Sequence, residues 1–449
     1  MGTWTRRGLL TGAAAAGFAH TGGTAPARAA GRARRPRRDE LTARLGALPG
    51  LRVVEERADA PPGYRHLVLG LCQPVDHARP RRDTFEQRLT LLHTSATRPT
   101  ILFTTGYEAV LAPRLTEAAT LLHGNQVQVE HRHFGTSRPP GTDLTHLTIR
   151  QAADDHHRVV RLLRTLYLGA WISTGSSKGG MASVYHRRFH PHDVDGTLAH
   201  SAPHNVDDGE DSAYHRFLDR AGTPAQQQAL ADVQRRLLQH RAELVLRYEN
   251  ESTATGATFR IIGDADKAFE IAVLRAPFMF WQNGTATAHV PGPDAGPEEL
   301  YRWLDAHARL TAYTDPVVRA HVPYFYQLGT QLGYWDPRTD HLADLLRHPG
   351  APRPRTFVPA DVPMRFDPVA MPDVDRWVRR HGERLLFVNG TRDPAVAEPF
   401  RPGPRDSRVL WAPDTNHRAA LADLTPADRA TATAMLTRWA RVPRRPRRP

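Results

Sequence analysis

Apolar residues along this chain gather in short runs separated by longer stretches of mixed periodicity. Residues 64–74 and 86–93 read as strands, 99–107 as a central strand ending in a glycine turn, and 127–135 as a strand and loop. An amphipathic helical pattern covers 144–168. An apolar strand then begins at Trp171, and another occupies 196–204. Two more strand-and-loop units appear far downstream, at 384–393 and 408–417, the second leading into a helical run from Arg418. Strands alternating with helices predict a mostly parallel sheet with helices on its faces. Between residues 205 and 355 the strand signal stops. The pattern there is helical over 224–248, 264–276 and 297–312, with Thr223 ahead of Pro224 as a helix start. The same region concentrates Phe278, Phe280, Trp281, Tyr324, Phe325, Tyr326, Tyr334 and Trp335. These aromatics suit an insertion's own core, with a few left to line an apolar pocket.

The end of the Trp171 strand carries candidate chemistry. Gly175-Ser176-Ser177-Lys178-Gly179 fits the G-x-S-x-G turn in which a strained serine sits between strand and helix, with bulk excluded on either side. Centring the motif on Ser176 would require glycine at Thr174 and Lys178, so Ser177 is the candidate nucleophile. Its hydroxyl needs an imidazole to take the proton, and the imidazole needs a carboxylate to fix its tautomer. Asp393 and His417 each stand just past a predicted strand, in the order Ser, Asp, His expected of an α/β-hydrolase. The backbone N–H of Lys178, directly after the serine, and that of Tyr107, at the glycine turn after the central strand, are the expected oxyanion donors. The expected architecture is an α/β-hydrolase core in two halves, 41–204 and 356–440, interrupted by a helical cap insertion at 205–355.

Charge and composition refine this picture. The net charge of +13 is carried by Arg6, Arg7 and Arg28, by five arginines in 32–38 and by five in 441–448, so residues 39–440 are formally neutral. The basic stretches 30–40 and 441–449 read as disordered tails, not as a folded nucleic-acid surface. Arg6-Arg7 followed by a weakly apolar stretch and Ala27-Arg28-Ala29 reads as a twin-arginine leader over 1–29, which implies export. No stretch approaches the length of a membrane span. The single cysteine, Cys72, is expected in the core and cannot form an internal disulfide. Only Lys178 and Lys267 interrupt an otherwise all-arginine set of cations. His131-Arg132-His133 and His190-Pro191-His192 lack a further ligand at fixed spacing, so no metal site is expected, and the hydrolytic chemistry calls for no cofactor. The acidic cluster Asp207, Asp208, Glu210 and Asp211 reads as a solvated helix start or as a holder for a cationic substrate group.

Together these stretches resemble secreted bacterial serine tripeptidyl aminopeptidases and, more distantly, lysosomal Pro-X carboxypeptidase and its dipeptidyl-peptidase relatives. The resemblance rests on QPVDH at 73–77 with TFEQR at 84–88, EHRHFG at 130–135, LTIRQA at 147–152, GSSKGGM at 175–181, AHSAP at 199–203, FMFWQ at 278–282, and Thr391-Arg392-Asp393 with Asn416-His417. It implies peptide substrates cut near a free N-terminus, often after proline, and its triad falls on Ser177, Asp393 and His417. Lys178 stands where the lysosomal relatives have an aromatic residue, which favours the bacterial branch; Gln331 stands where those relatives often have glutamate. An esterase or lipase on the same fold, or a non-catalytic protein adhering to polyanions through its arginines, are the other readings. A peptidase that measures from a free N-terminus needs a desolvated carboxylate for the substrate ammonium. Glu130, Asp211 and Glu270 are the candidates.

Overall fold

In the computed structural model of the protein, the described residues are 40–284 and 289–442. The expected leader and most of both basic tails lie outside them. The apolar runs form nine strands: β1 (Leu51–Arg57), β2 (Arg65–Pro74), β3 (Thr84–His93), β4 (Thr100–Thr104), β5 (Asn125–Val129), β6 (Trp171–Ser176), β7 (Gly196–His200), β8 (Leu385–Gly390) and β9 (Arg408–Ala412). They pair into one sheet in the order β1-β2-β3-β5-β4-β6-β7-β8-β9. β1, β2, β3 and β5 pair antiparallel, and every pairing from β5 across to β9 is parallel. The parallel strands explain their own sequences. All of β5 and β8 is buried, as is β6 up to Gly175, because helices cover both faces. This is an α/β-hydrolase core.

The helices are α1 (Glu40–Gly46), α2 (Glu117–Leu122), α3 (Ile149–Leu163), α4 (Lys178–Phe189), α5 (Ser212–Arg220), α6 (Pro224–Gln239), α7 (Arg241–Ala254), α8 (Ala265–Asn283), α9 (Pro297–Ala308), α10 (Asp315–Gln327), α11 (Ala370–Arg380) and α12 (Pro426–Trp439). On one side of the sheet α3 packs Val159, Val160 and Leu163 against Leu102, Val127 and Trp171. On the other side α2 and α12 bring Leu122, Met435, Leu436 and Trp439 onto Ile172, Leu198 and Leu386. α5 to α10 all fall between β7 and β8. Their apolar faces share one cluster with Met181 and Val184 of α4 and with Ala199 of β7, so this helical layer is packed onto the core.

Several local expectations shift. The helix expected over 144–168 begins only at Ile149, because the Thr148 hydroxyl accepts the Gln151 N–H and caps it there. The run 224–248 breaks into α6 and α7 at His240, whose φ of −88° and ψ of 13° are not helical. The run at 264–276 instead continues to Asn283 through Pro277, since Phe278, Phe280 and Trp281 are buried beyond the proline. The helix expected from Arg418 starts at Pro426, capped by the Thr425 hydroxyl. Cys72 is exposed rather than buried. It shares a face of β2 with Gly70, and that face is covered by the Glu86 carboxylate rather than by apolar groups.

Candidate active site

Ser177 sits between β6 and α4 with φ 55° and ψ −128°, a conformation that costs about 1–3 kcal/mol for a residue bearing a Cβ. Its surroundings enforce it. A Cβ on Gly175 would lie 2.3 Å from the Gly179 carbonyl, and one on Gly179 would lie 2.3 Å from the Thr104 carbonyl oxygen. No side chain longer than hydrogen fits at either position. The Ser177 N–H donates to His200 O of β7 at 2.9 Å, and the Thr104 hydroxyl donates to Gly179 O at 2.7 Å. Strand, turn and helix are thereby locked together.

Asp393 and His417 arrive on loops after β8 and β9. Those loops touch: a Cβ on Gly390 would meet Thr415 O at 2.2 Å, and the Arg392 N–H donates to Thr415 O at 2.9 Å. His417 Nε2 lies 2.8 Å from Ser177 Oγ, and His417 Nδ1 lies 2.8 Å from Asp393 Oδ2. Asp393 is fully buried, and its Oδ1 accepts the Ala395 N–H at 3.0 Å. Both carboxylate oxygens are thus engaged, one orienting the carboxylate and the other the imidazole. The helical layer also fixes the histidine. The His417 N–H donates to Gln282 O at 3.2 Å, and Asn416 Nδ2 donates to Gly284 O at 2.7 Å, both at the end of α8.

Ser177 leaves the first N–H groups of α4 without a side-chain cap, so the Lys178 N–H stands at the positive end of that helix. The Tyr107 N–H donates to Thr105 Oγ1 at 3.3 Å, a long bond that leaves it weakly engaged. The Lys178 ammonium donates to Gly106 O at 2.6 Å and lies over the rings of Phe134 and Tyr107, at 4.8 and 5.3 Å. Burial alone pushes its pKa well below the usual lysine value. Because Gly106 O and the Tyr107 N–H belong to one peptide plane and point opposite ways, holding the carbonyl also aims the N–H.

The three candidate ammonium anchors separate clearly. Glu130 is fully buried and accepts from the Ala109, Thr136 and Ser137 N–H groups and from both hydroxyls of Thr136 and Ser137. It is a loop staple whose Oε2 also faces the Arg88 guanidinium at 3.7 Å, so its charge is already compensated within the fold. Glu270 is likewise spent, on Arg241 and on the N–H groups of Arg347 and His348. Asp211 differs: Oδ2 accepts the Asp336 N–H at 3.0 Å, while Oδ1 is buried with no partner. Burial raises the Asp211 pKa, and the charges of Asp336 and Asp208 add to the rise. Burial raises Asp208 too. Gln331 is occupied elsewhere, since its Oε1 accepts the Ile149 N–H and caps α3.

Ser177 opens into a pocket of about 110 Å³ walled by Met181, Tyr214, Phe278, Tyr324, Leu328, Leu332 and Trp335. Phe278 and Trp335 stack at 4.4 Å, forming a flat apolar wall. Arg275 and Asn205 also line it, and neither was singled out by motif. Arg275 had a signal: it is the lone charge in the otherwise apolar run 271–281. Asn205 had none. Of the histidine pairs, His131 and His133 are buried, which holds the His133 pKa at about 3 and lowers that of His131. Among the described residues, His157, His190 and Asp193 bring one possible ligand atom each within 4.8 Å of one another, but His190 Nε2 already bonds Asp154. No helix among the described residues is long and apolar enough to cross a membrane.

Residues 34–446 match the family described as PS-10 peptidase S37. The chain is 44% identical over 409 residues to a prolyl tri/tetrapeptidyl aminopeptidase of Streptomyces mobaraensis, covering 90% of this chain and 85% of that protein. It is 34% identical over 159 residues to the lysosomal Pro-X carboxypeptidase of Mus musculus, covering 31% and 32%. Among solved structures, a proline iminopeptidase of Mycobacterium smegmatis aligns over 83% of this chain and 98% of its own, at 14% identity and a TM-score of 0.38.

Proposed function

We propose, on the premise that the chain belongs to the PS-10 peptidase S37 family, that this serine peptidase releases tripeptides from free N-termini, with preference for proline before the scissile bond. The observation that carries the reading is the relay of two 2.8 Å contacts from Asp393 through His417 to Ser177, opening into an apolar pocket. Ser177 Oγ attacks the scissile carbonyl while His417 Nε2 takes its proton. The oxyanion forms against the Lys178 and Tyr107 N–H groups. His417 then gives the proton to the departing amine, leaving an acyl-enzyme on Ser177 that water cleaves by the same route in reverse. The helical layer between β7 and β8 acts as a cap, limiting the length of chain that fits on the acyl side. The stacked Phe278–Trp335 wall suits the flat ring of proline.

Asp211 anchors the substrate ammonium. A carboxylate with a raised pKa is an anion short of compensation, and a cation placed beside it supplies what the fold withholds. Asp211→Asn is expected to lower kcat/KM on free-N-terminal tripeptide substrates about 10–100-fold, the range of a hydrogen bond to a charged group. N-acetylated peptides, poor for the wild type, become no worse. The pH signs follow. As pH falls into the raised Asp211 range, the wild type loses its anchor and kcat/KM declines, whereas the Asn variant lacks that acid limb. A raised folded-state pKa also means the charge destabilises the fold at neutral pH, so the variant's Tm rises. A variant with lowered Tm and unchanged discrimination against acetylated peptides would sink the assignment. Mass spectrometry of products from a peptide library tests the whole reading: three-residue N-terminal fragments are expected, and internal cuts overturn it.

Residues 1–29 act as a twin-arginine leader, so the peptidase works outside the cell. Replacing Arg6 and Arg7 together by lysine is expected to retain the protein in the cytoplasmic fraction of its producer; undiminished export would exclude that route.

A further inference from the structure

The pocket over Ser177 holds polar groups that the chain leaves unsatisfied. Arg275 Nε, both side-chain amide atoms of Asn205 and the Tyr334 hydroxyl are buried without a hydrogen-bond partner, and all three residues line that pocket. Folded chains satisfy nearly all buried polar atoms, so several orphans in one cavity mark the place of a ligand.

Arg275 is half-buried, with its Nε wholly enclosed, and it differs from the buried arginines, of which Arg187 donates to the Val194 and Glu383 carbonyl oxygens. Arg132 is paired with Asp155 at 2.7 Å and Arg241 with Glu270 at 2.5 Å. Arg275 has no carboxylate partner among the described residues. Instead its guanidinium lies over the rings of Tyr334 and Tyr313, at 5.6 and 5.9 Å, which holds it in place without neutralising it. A guanidinium only donates, and the Tyr334 hydroxyl and Asn205 Nδ2 can donate with it. These groups call for acceptor oxygens, and Asn205 Oδ1 for one N–H donor beside them, the pairing a peptide main chain offers.

Two kinds of acceptor fit a peptidase: a carboxylate or a main-chain carbonyl. The neighbouring charges decide. The Tyr334 N–H donates to Asp208 Oδ1 at 2.7 Å, and a Cβ on Gly333 would lie 3.0 Å from that same oxygen and 3.0 Å from Asn205 Oδ1. Asp211 holds the next turn of the same segment through the Asp336 N–H. A ligand carboxylate would be repelled by these acids. A peptide with an ammonium at its end and neutral carbonyls behind it matches both features at once.

We propose that Arg275, with Tyr334 and Asn205, forms a subsite for the main-chain carbonyl oxygens of substrate residues on the N-terminal side of the scissile bond. The subsite rests on the exopeptidase reading above and deepens it. It holds the peptide extended between Ser177 and the acidic cluster, so that the span from nucleophile to ammonium corresponds to a fixed number of residues.

The test uses the full-length protein, Arg275→Met and Arg275→Lys, and two substrates. One is a free-N-terminal tripeptide anilide with proline at the cleaved bond; the other replaces the carbonyl just before that proline by a methylene. For the wild type, the methylene substrate is expected to be about 10–100-fold poorer in kcat/KM. Arg275→Met is expected to lose a similar factor on the normal substrate, to be nearly indifferent to the methylene change, and to react with a small fluorophosphonate within about twofold of the wild-type rate. Arg275→Lys recovers part of the discrimination. Unchanged discrimination in Arg275→Met overturns the subsite. So does a parallel fall in fluorophosphonate labelling and Tm in both variants, which assigns Arg275 to stability alone. With a longer free-N-terminal peptide bearing a C-terminal carboxylate as a third substrate, loss in Arg275→Met confined to that peptide makes the ligand a carboxylate and overturns it as well. A wild type that is labelled but cleaves neither free-N-terminal substrate overturns the exopeptidase reading itself.

Discussion

Ser177→Ala is expected to lower kcat on peptide substrates by roughly 10⁶-fold, the scale seen when a triad nucleophile is removed. Without the hydroxyl, the Lys178 and Tyr107 N–H groups, which the substitution leaves in place, have no covalent intermediate to stabilise. Binding is expected to persist, so KM or the affinity for a non-cleavable tripeptide changes little. The backbone should not relax, because alanine carries the same Cβ into the same φ of 55°. Tm is therefore expected to stay within a degree or two of wild type, and fluorophosphonate labelling to vanish. Labelling that survives in Ser177→Ala would remove the assignment.

Asp393→Asn is expected to cost about 10⁴-fold in kcat with little change in fold. The buried carboxylate accepts twice, from the Ala395 N–H at Oδ1 and from His417 Nδ1 at Oδ2. An amide accepts on one side only. If its oxygen keeps the Ala395 bond, its NH2 faces Nδ1 and drives the histidine into the tautomer whose proton lies on Nε2. His417 then presents Ser177 with a donor instead of a base. The loss is expected to ease at high pH, where the serine needs less help, and the pH profile of kcat is the measurement. A drop of only a few-fold would mean that Asp393 serves the loop and not the imidazole.

Which candidate groups would meet was easier to read in this chain than where its helices end. Gly175 and Gly179 announce a turn whose steric demand is local, so seven residues sufficed to choose Ser177 over Ser176. Asp393 and His417 were legible because each follows a short apolar strand in a parallel sheet, where a side chain just past the strand end has one place to go. Glu130 and Glu270 misled because a carboxylate's availability depends on how many N–H groups converge on it from other segments. Residues 109, 136 and 137 close on Glu130, and 347 and 348 on Glu270, contacts with no periodicity to betray them. Cys72 misled for a related reason. An apolar run says that a strand is covered, but not that both of its faces are. The continuation of α8 through Pro277 turned on tertiary packing, which overrides local propensity.

The placement of the helical layer has a consequence for how the protein is made. Its chain emerges from the ribosome with the nucleophile early and the base late, separated by every residue of α5 to α10. Until residues 385–388 appear, β7 has β6 on one side and a bare row of N–H and C=O groups on the other. Such an edge recruits any strand within reach, including that of a neighbouring nascent chain. The half-built molecule is thus at its most vulnerable to aggregation while its largest helical block is being synthesised. The proposed base is also absent throughout that time, because residue 417 is translated only after the block. Synthesis order alone separates the proposed nucleophile from its proposed base by that whole block.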